Sequence, residues 1–284
     1  MFMTGFDSGF LDLSEPLTIP VPADPTAKAR LRTLDYTHFS VLLDPDRRLA
    51  AATAVDIDGA ALLDLGRGDD WHLDDRVPVE EQAGPELYAR NDLDRGHLVR
   101  RRDPVWGPVE IARQANVDTF CYTNAAPQAA DFNQSLELWN GLEDLVLEYA
   151  SAGRRRLSVF TGPVFADTDP LYRGVQIPRR FWKVAAWSNG GALAASGYLL
   201  DQSAQLDDID LGRSSAIDDT QDATAVPPLG PFRTFQLPIL DLASLTGLDF
   251  GALASADVLE PAPATVRPDT DTWIELSDPS DLRF

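Results

Sequence analysis

The sequence predicts an α+β domain, and three observations carry that expectation. Thr37-His-Phe-Ser-Val-Leu-Leu43 is rich in β-branched and aromatic residues, Asp44-Pro-Asp46 supplies a turn, and Leu49 to Ile57 runs apolar, which together spell a β-hairpin. A second hairpin is written in Phe181 to Trp187 and Ala192 to Leu200, joined across Asn189-Gly190-Gly191. Leu136, Trp139, Leu142, Val146 and Tyr149 recur at three- and four-residue spacing ahead of Gly153, which predicts a helix over 134–151. Strands and helices are interspersed with no regular βαβ rhythm and no internal repeat, so neither a doubly wound sheet nor a solenoid is expected.

The remaining elements follow in order. Residues 1–32 carry Pro16, Pro20, Pro22 and Pro25 and read as an extended arm laid over a domain that spans 33–258. Residues 64–86 form a polar, acidic loop region. Pro85 to Leu93 leads into Asp94-Arg95-Gly96-His97, read as a tight turn because Gly96 frees the backbone there. Residues 109–117 are an irregular or short helical connection, and Phe120 to Asn124 a strand. Leu157 to Phe160 is a strand closed by Gly162-Pro163. The acidic stretch 201–231 is a loop, Phe235 to Ile239 a short strand and Leu242 to Leu245 a short helix. Residues 259–284 form an acidic, proline-bearing tail.

Composition narrows the function classes. Hydrophobic residues make up 44% of the 284, which supplies a core and argues against wholesale disorder. A single cysteine, Cys121, excludes an intrachain disulfide and a cysteine-rich zinc site. No apolar run reaches membrane-spanning length, and the N-terminus lacks a basic region followed by an apolar core. No membrane partner is therefore expected; placement is cytoplasmic by default, with secretion by another route open. The formal net charge of −21 opposes broad non-specific clamping of a polyanion. The charge is unevenly spread, however. Arg90, Arg95, Arg100, Arg101 and Arg102 crowd around His97, while the acid lies at 56–81, 201–222 and in the tail.

The chemistry-bearing residues concentrate between 88 and 143. A histidine beside an arginine, two amide side chains and a glutamate are the parts that phosphodiester cleavage needs: a base for water, a cation for phosphate, and oxygen donors for a hard metal ion. His97 is the candidate base; the competing reading is a surface turn with an Asp94–Arg95 ion pair. Asn133 is either one oxygen ligand of a largely hydrated Mg²⁺ or the cap of the helix that begins just after it. Glu143 lies ten residues on, about 15 Å along an unbroken helix. It therefore reaches the same ion only through bound water or a bend in the segment, and otherwise belongs to a solvated helix face. Asn124 either holds a turn or steadies a ligand, a water or the histidine. Arg48 and Arg95 are the best phosphate clamps, since a guanidinium binds phosphate bidentately; Arg100 to Arg102 either join them or form a solvated run.

Taken in order, these strings resemble one family: the ββα-metal DNA/RNA non-specific endonucleases, which include mitochondrial endonuclease G and secreted bacterial nucleases. The matching residues are Asp94-Arg95-Gly96-His97, Thr123-Asn124 with Pro127-Gln128, Phe132-Asn133-Gln134, and Trp139 with Leu142-Glu143. The similarity runs from about Tyr36 to Phe250 and takes in Arg47-Arg48, Phe160-Thr-Gly-Pro163, Phe181-Trp-Lys183 and Thr246-Gly-Leu-Asp-Phe250. The resemblance implies a central antiparallel sheet flanked by helices, with a ββα-metal finger carrying the site. It implies His97 as general base, Asn133 as the direct protein ligand of Mg²⁺ or Mn²⁺, and Glu143 and Asn124 as residues that orient the hydrated ion and the site. Arg95, Arg48 and Arg100 would contact phosphate. DNA and RNA would be the substrates, cut to 5′-phosphate and 3′-hydroxyl ends, and a homodimer and an inhibitor protein are further partners to expect. Trp106, Trp182, Trp187 and Trp273 could each serve such an interface or the core. Two departures stand out: the spacing from Asn133 to Glu143 is longer than in some members, and Leu147 stands where some carry an arginine. The alternative from another class is a non-catalytic nucleic-acid- or partner-binding domain on the same scaffold, which the acidic total favours.

Overall fold

The computed structural model describes residues 5–66, 68, 70–129, 147, 149–208, 233–259 and 273–276. Its frame is an eight-stranded sheet in the order β14-β12-β11-β10-β7-β4-β3-β2. The strands are β2 (Arg32–Tyr36), β3 (Phe39–Asp44), β4 (Leu49–Asp58), β7 (Arg156–Val164), β10 (Arg180–Asn189), β11 (Ala192–Asp201), β12 (Arg233–Leu237) and β14 (Ile274–Glu275). Every pairing in it is antiparallel.

Both predicted hairpins are present, as β3–β4 and β10–β11. The second turns on Gly190 and Gly191, both at positive φ, the backbone a tight two-residue hairpin loop requires. One expectation fails at Gly162-Pro163, which lies inside β7 rather than ending it. Pro163 pairs with Phe181 of β10, but the ladder between β7 and β4 stops at Thr161, so the missing proline N–H leaves no gap on that side. Gly162 is there for space: a Cβ would lie 2.5 Å from the Ala51 carbonyl and 2.9 Å from the Trp182 indole.

Successive residues on a strand face opposite ways, so the two faces build two cores. On one face Leu42, Ala52, Ala54, Phe160, Trp182, Val184 and Leu199 pack with Phe10, Leu11 and Leu17 of the N-terminal arm and with Ile239 and Leu242. On the other, Phe39, Val41, Val55, Ile57, Val159, Phe181 and Tyr198 pack with Leu98, Val99, Cys121 and Ala126, the surroundings of the candidate site. Each large apolar side chain buried this way contributes about 1.5–3 kcal/mol. Trp182 and Trp187 thus belong to the core, while Trp106 is half-buried against His38 and Trp273 half-buried against Phe235.

The arm is more structured than the sequence suggests. Val21–Pro22 (β1) pairs with Leu248–Asp249 (β13), and Pro25–Arg30 forms a helix, α1, capped by Asp24, whose side chain accepts from the Thr26 amide at 3.0 Å. Residues 109–117 resolve as a regular helix, Val109–Asp118. Ile239–Thr246 is longer than expected and is stopped by Gly247 at φ 68°. Of the helix predicted over 134–151, the described residues 147 and 149–151 are helical; the stretch read as a loop from 201 begins instead with a short helix, Ser203–Asp208, and the rest of both, with most of the tail, lies outside the described residues.

The most informative corrections concern the motif region. Asp94-Arg-Gly-His97 is not a turn but most of a strand, β5 (Leu93–His97), paired antiparallel with β6 (Ala125–Ala129) in a separate two-stranded sheet. Gly96 is not at positive φ; glycine is needed because the Gln128 side chain occupies the space a Cβ would take. Phe120 to Asn124 is not a strand either: Tyr122–Asn124 forms a 3-10 turn and the strand begins one residue later.

A buried acid ties the arm to the sheet. Asp56 is 1% exposed and accepts hydrogen bonds from the Asp7 amide at 2.7 Å and the Ser158 hydroxyl at 2.8 Å. Burial pushes its carboxyl up to about 8, against the lowering effect of those two bonds. The folded protein therefore keeps a proton that the unfolded chain releases near pH 4, and the stability this residue contributes falls as pH rises through that window, by up to about 1.4 kcal/mol per pH unit. Calorimetric melts at pH 5 and pH 8 should show Asp56→Asn losing less Tm across the interval than the parent; an identical loss would mean that Asp56 does not titrate there.

Candidate active site

The candidate site is assembled on β5. Arg95 and His97 are two residues apart on one strand, so their side chains project from the same face. Both are half-buried. The wall around them is aromatic. Trp71 lies 4.7 Å from the His97 ring centre at an interplanar angle of 47°, and Phe120 meets the imidazole edge-on at 5.2 Å and 83°. Trp71 also touches Phe120 at 5.4 Å and Tyr122 at 5.7 Å, and Tyr122 stacks on Tyr88 at 6.0 Å. The Arg95 guanidinium sits over the Trp71 ring at 5.4 Å, a cation–π contact. Among the described residues Arg95 makes no ion pair, which leaves its charge available to an anion on the His97 side.

Asn124 fixes the backbone just beyond the histidine. It is fully buried, with Oδ1 accepting from the Val99 amide at 2.8 Å and Nδ2 donating to the Val99 carbonyl at 2.9 Å and the Thr119 carbonyl at 3.0 Å. Its own carbonyl accepts from the Leu98 amide at 3.0 Å. Both amide hydrogens are spent on the backbone, so Asn124 ties the 98–99 segment, which directly follows β5, to the 119–124 segment. All of these are bonds to backbone groups, the kind expected of an amide that holds a turn.

The arginines divide. Arg48 has a left-handed backbone at φ 61° and donates to the Gln82 carbonyl at 2.9 Å and the Glu86 carboxylate at 3.1 Å. Its charge is thus matched by an acid rather than held beside His97. Arg101 donates to the Leu65 carbonyl at 3.0 Å and the Asn116 side chain at 3.2 Å. Arg100 is half-buried, and Arg102 is exposed. The run is therefore not a uniform solvated face: one member stitches the 64–66 loop to helix Val109–Asp118 (α2).

Asn133 and Glu143 lie outside the described residues. Among the described residues, no group of three or more His, Cys, Asp or Glu side chains converges. Gln128, opposite Asp94 on β6, fills the space a Gly96 Cβ would take, on the face of the strand pair away from Arg95 and His97; it is fully buried, and both its amide atoms lack hydrogen-bond partners among the described residues. The only cysteine, Cys121, has Sγ 3.1 Å from His72 Nε2 and its thiol pushed up to about 12, chiefly by burial, so it is an inert thiol rather than a nucleophile.

A separate cavity of about 740 Å³ is lined by Tyr36, His72, Asp74, Arg76, Asp118 and Cys121 among others, and by none of the candidate catalytic residues. Its acids suit a polyanion poorly. Asp74 there is engaged by Arg76 at 2.7 Å and the Tyr36 hydroxyl at 2.5 Å.

Sequence reasoning missed the aromatic wall. Trp71 stands in the stretch read as a polar loop, and its one signal was a Trp-His pair set in acidic surroundings. What brings it to His97 is a backbone clasp: the His72 amide donates to the Phe120 carbonyl at 3.1 Å and the Tyr122 amide to the His72 carbonyl at 2.9 Å.

Comparison with known proteins agrees with this architecture. The family model for DNA/RNA non-specific endonucleases matches residues 24–257. The uncharacterized protein y4fB of Sinorhizobium fredii is 41% identical over 287 residues, covering 93% of this chain and 41% of that protein, so the chain spans less than half the length of that relative. A chain in the crystal structure of the EndoG/EndoGI complex, which addresses the mechanism of EndoG inhibition, superposes with a TM-score of 0.56 at 17% identity, over 77% of this chain and 84% of the other. At that identity the likeness speaks for the fold: a large antiparallel sheet with flanking helices. The family match spans most of the sheet and the whole β5–β6 pair, and the chain belongs to the DNA/RNA non-specific endonuclease family.

Proposed function

We propose that this chain hydrolyses the phosphodiester bonds of DNA and RNA without sequence specificity, leaving 5′-phosphate and 3′-hydroxyl ends. The observation that carries the reading is the shared face of β5, where Arg95 and His97 project together from a strand whose far end is pinned by Asn124. In this reading the His97 imidazole accepts a proton from the attacking water. Arg95 holds the phosphate beside it and balances the charge that builds on the non-bridging oxygens. The bond that breaks is the one between phosphorus and the 3′ oxygen. Asn133 would hold a Mg²⁺ or Mn²⁺ ion, with Glu143 acting through its bound water; such an ion would stabilise phosphate charge and the leaving oxygen. Arg100 and Arg102 would guide the strand toward Arg95, while Arg48 acts from the Glu86 corner.

An acidic protein with one local cationic patch binds a polyanion at that patch and repels it elsewhere, which suits short contact with single phosphates. An inhibitor protein that covers the patch fits the same picture, since EndoG is described in complex with EndoGI. The competing reading, a scaffold that binds without cutting, is favoured by the net charge of −21 and by the partners already held by Arg48 and Arg101.

Digestion of plasmid DNA and of RNA separates the two readings. Cleavage should require added Mg²⁺ or Mn²⁺, stop with EDTA, and fall by about 10²-fold or more in His97→Ala. Binding without cleavage over a range of both ions would favour the scaffold reading, and an alanine variant that cuts as fast as its parent would remove His97 as the base. Asn124→Ala leaves three backbone groups buried without partners and should cost about 3 kcal/mol or more of stability in a denaturant titration. Cleavage should drop in the same variant even where it remains folded; full activity there would mean that the amide does not position the histidine.

A further inference from the structure

We infer that Trp71 is a positioning residue of the site: one indole sets the tilt of the His97 imidazole and at the same time restrains the Arg95 guanidinium. The inference rests on the reading of His97 as the base. The second side-chain torsion of histidine is a broad, nearly two-fold rotor, so the groups packed against the ring bear on its angle. Trp71 at 4.7 Å and 47° supplies one wall and Phe120 at 5.2 Å and 83° supplies another, nearly perpendicular to the ring. The indole that limits the imidazole also carries Arg95 over its face at 5.4 Å. A flexible guanidinium is thereby held on the side of the strand where the imidazole lies.

The placement is not an accident of a loose loop. Residue 72, next in the chain, is clasped to the 120–122 segment by the two backbone bonds described above and pairs with Cys121 in a parallel bridge. The 120–124 segment in turn bears Phe120, Tyr122 and Asn124. Trp71, Phe120 and the Asn124 pin are thus joined through one set of backbone contacts, and these segments meet β5 and the residues just past it through side chains and backbone alike. Aromatic contacts are directional, so a change in the Trp71 ring is transmitted as a change of angle and not only of volume.

Two measurements test this. The imidazole resonances of His97, assigned by difference against His97→Ala, are followed in labelled Trp71→Ala and Trp71→Phe without substrate. The indole ring current should be lost in Trp71→Ala and partly kept in Trp71→Phe; unchanged resonances in Trp71→Ala overturn the inference. Should Trp71→Ala fail to fold, Trp71→Leu, which fills the space without a ring, takes its place. This readout stands apart from activity, so a chain that cuts nothing would remove the nuclease reading while leaving the placement of Trp71 decided on its own. In steady-state cleavage of plasmid DNA with Mg²⁺, Trp71→Ala should lower kcat by roughly tenfold or more with KM changed by less than about threefold, and Trp71→Phe should recover most of the loss. Added to His97→Ala, the same substitution should cost much less than it does alone. An equal loss in both backgrounds, or an effect confined to KM, overturns the inference.

Discussion

The constraint on which the site depends is the pairing of one buried carboxamide with the backbone. Asn124 gives both its hydrogens and its oxygen to Val99 and Thr119, and its own carbonyl takes the Leu98 amide. These bonds lock the exit of β5 to the turn that starts β6. Each is worth about 1 kcal/mol net in a folded protein, but the groups are fully buried, and leaving them unmet would cost more than the bonds gain. An amide is the residue type that can do this, because it carries two donors and an acceptor in one plane. A carboxylate would turn acceptor against acceptor, and alanine would leave three groups dry. The backbone just past the histidine is therefore fixed by a residue remote from it in sequence.

From that pin outward the β5–β6 pair is built for close approach. Gly96 is bare because Gln128 crosses beneath it, and Ala125, Ala126 and Ala129 keep β6 thin. Small residues let the pair lie against the central sheet through Leu98, Val99 and Ala126 while the aromatic side chains gather on the site. The sheet supplies rigidity, with two covered faces and a middle strand, β7, that is paired on both sides. A site carried on a short strand at the edge of such a body needs few contacts of its own to stay fixed.

Charge follows the same division between local and global. The chain as a whole is strongly acidic, yet the acids engage arginines in pairs away from His97: Glu86 with Arg48, Glu81 with Arg32, Asp74 with Arg76, Asp207 with Arg179. Most of these pairs are at least partly exposed and contribute little stability. Their effect is to leave Arg95 as a cation with no carboxylate among the described residues, beside a ring that can take a proton. The sum over the sequence hides this, because the field at a phosphate is set within about a Debye length.

The sequence by itself determined what local pattern can determine. β-Branched, aromatic and apolar runs broken by turn residues marked the two hairpins, Asn189-Gly190-Gly191 marked the turn in the second, and the ordered strings from Asp94 to Glu143 resembled the family that the comparison then supports. Tertiary structure decided the rest. Asp94 to His97 read as a turn because a glycine beside a histidine suggests backbone freedom, whereas the glycine answers to Gln128, a contact made across the strand pair. Phe120 to Asn124 read as a strand because it is aromatic and β-branched, whereas Asn124 prefers to spend its side chain on the backbone and bends the chain into a 3-10 turn. Trp71 could not be found by spacing at all. Its ring meets His97 because a loop is clasped to a distant segment, and a contact between residues remote in sequence leaves no period for a one-dimensional reading to detect.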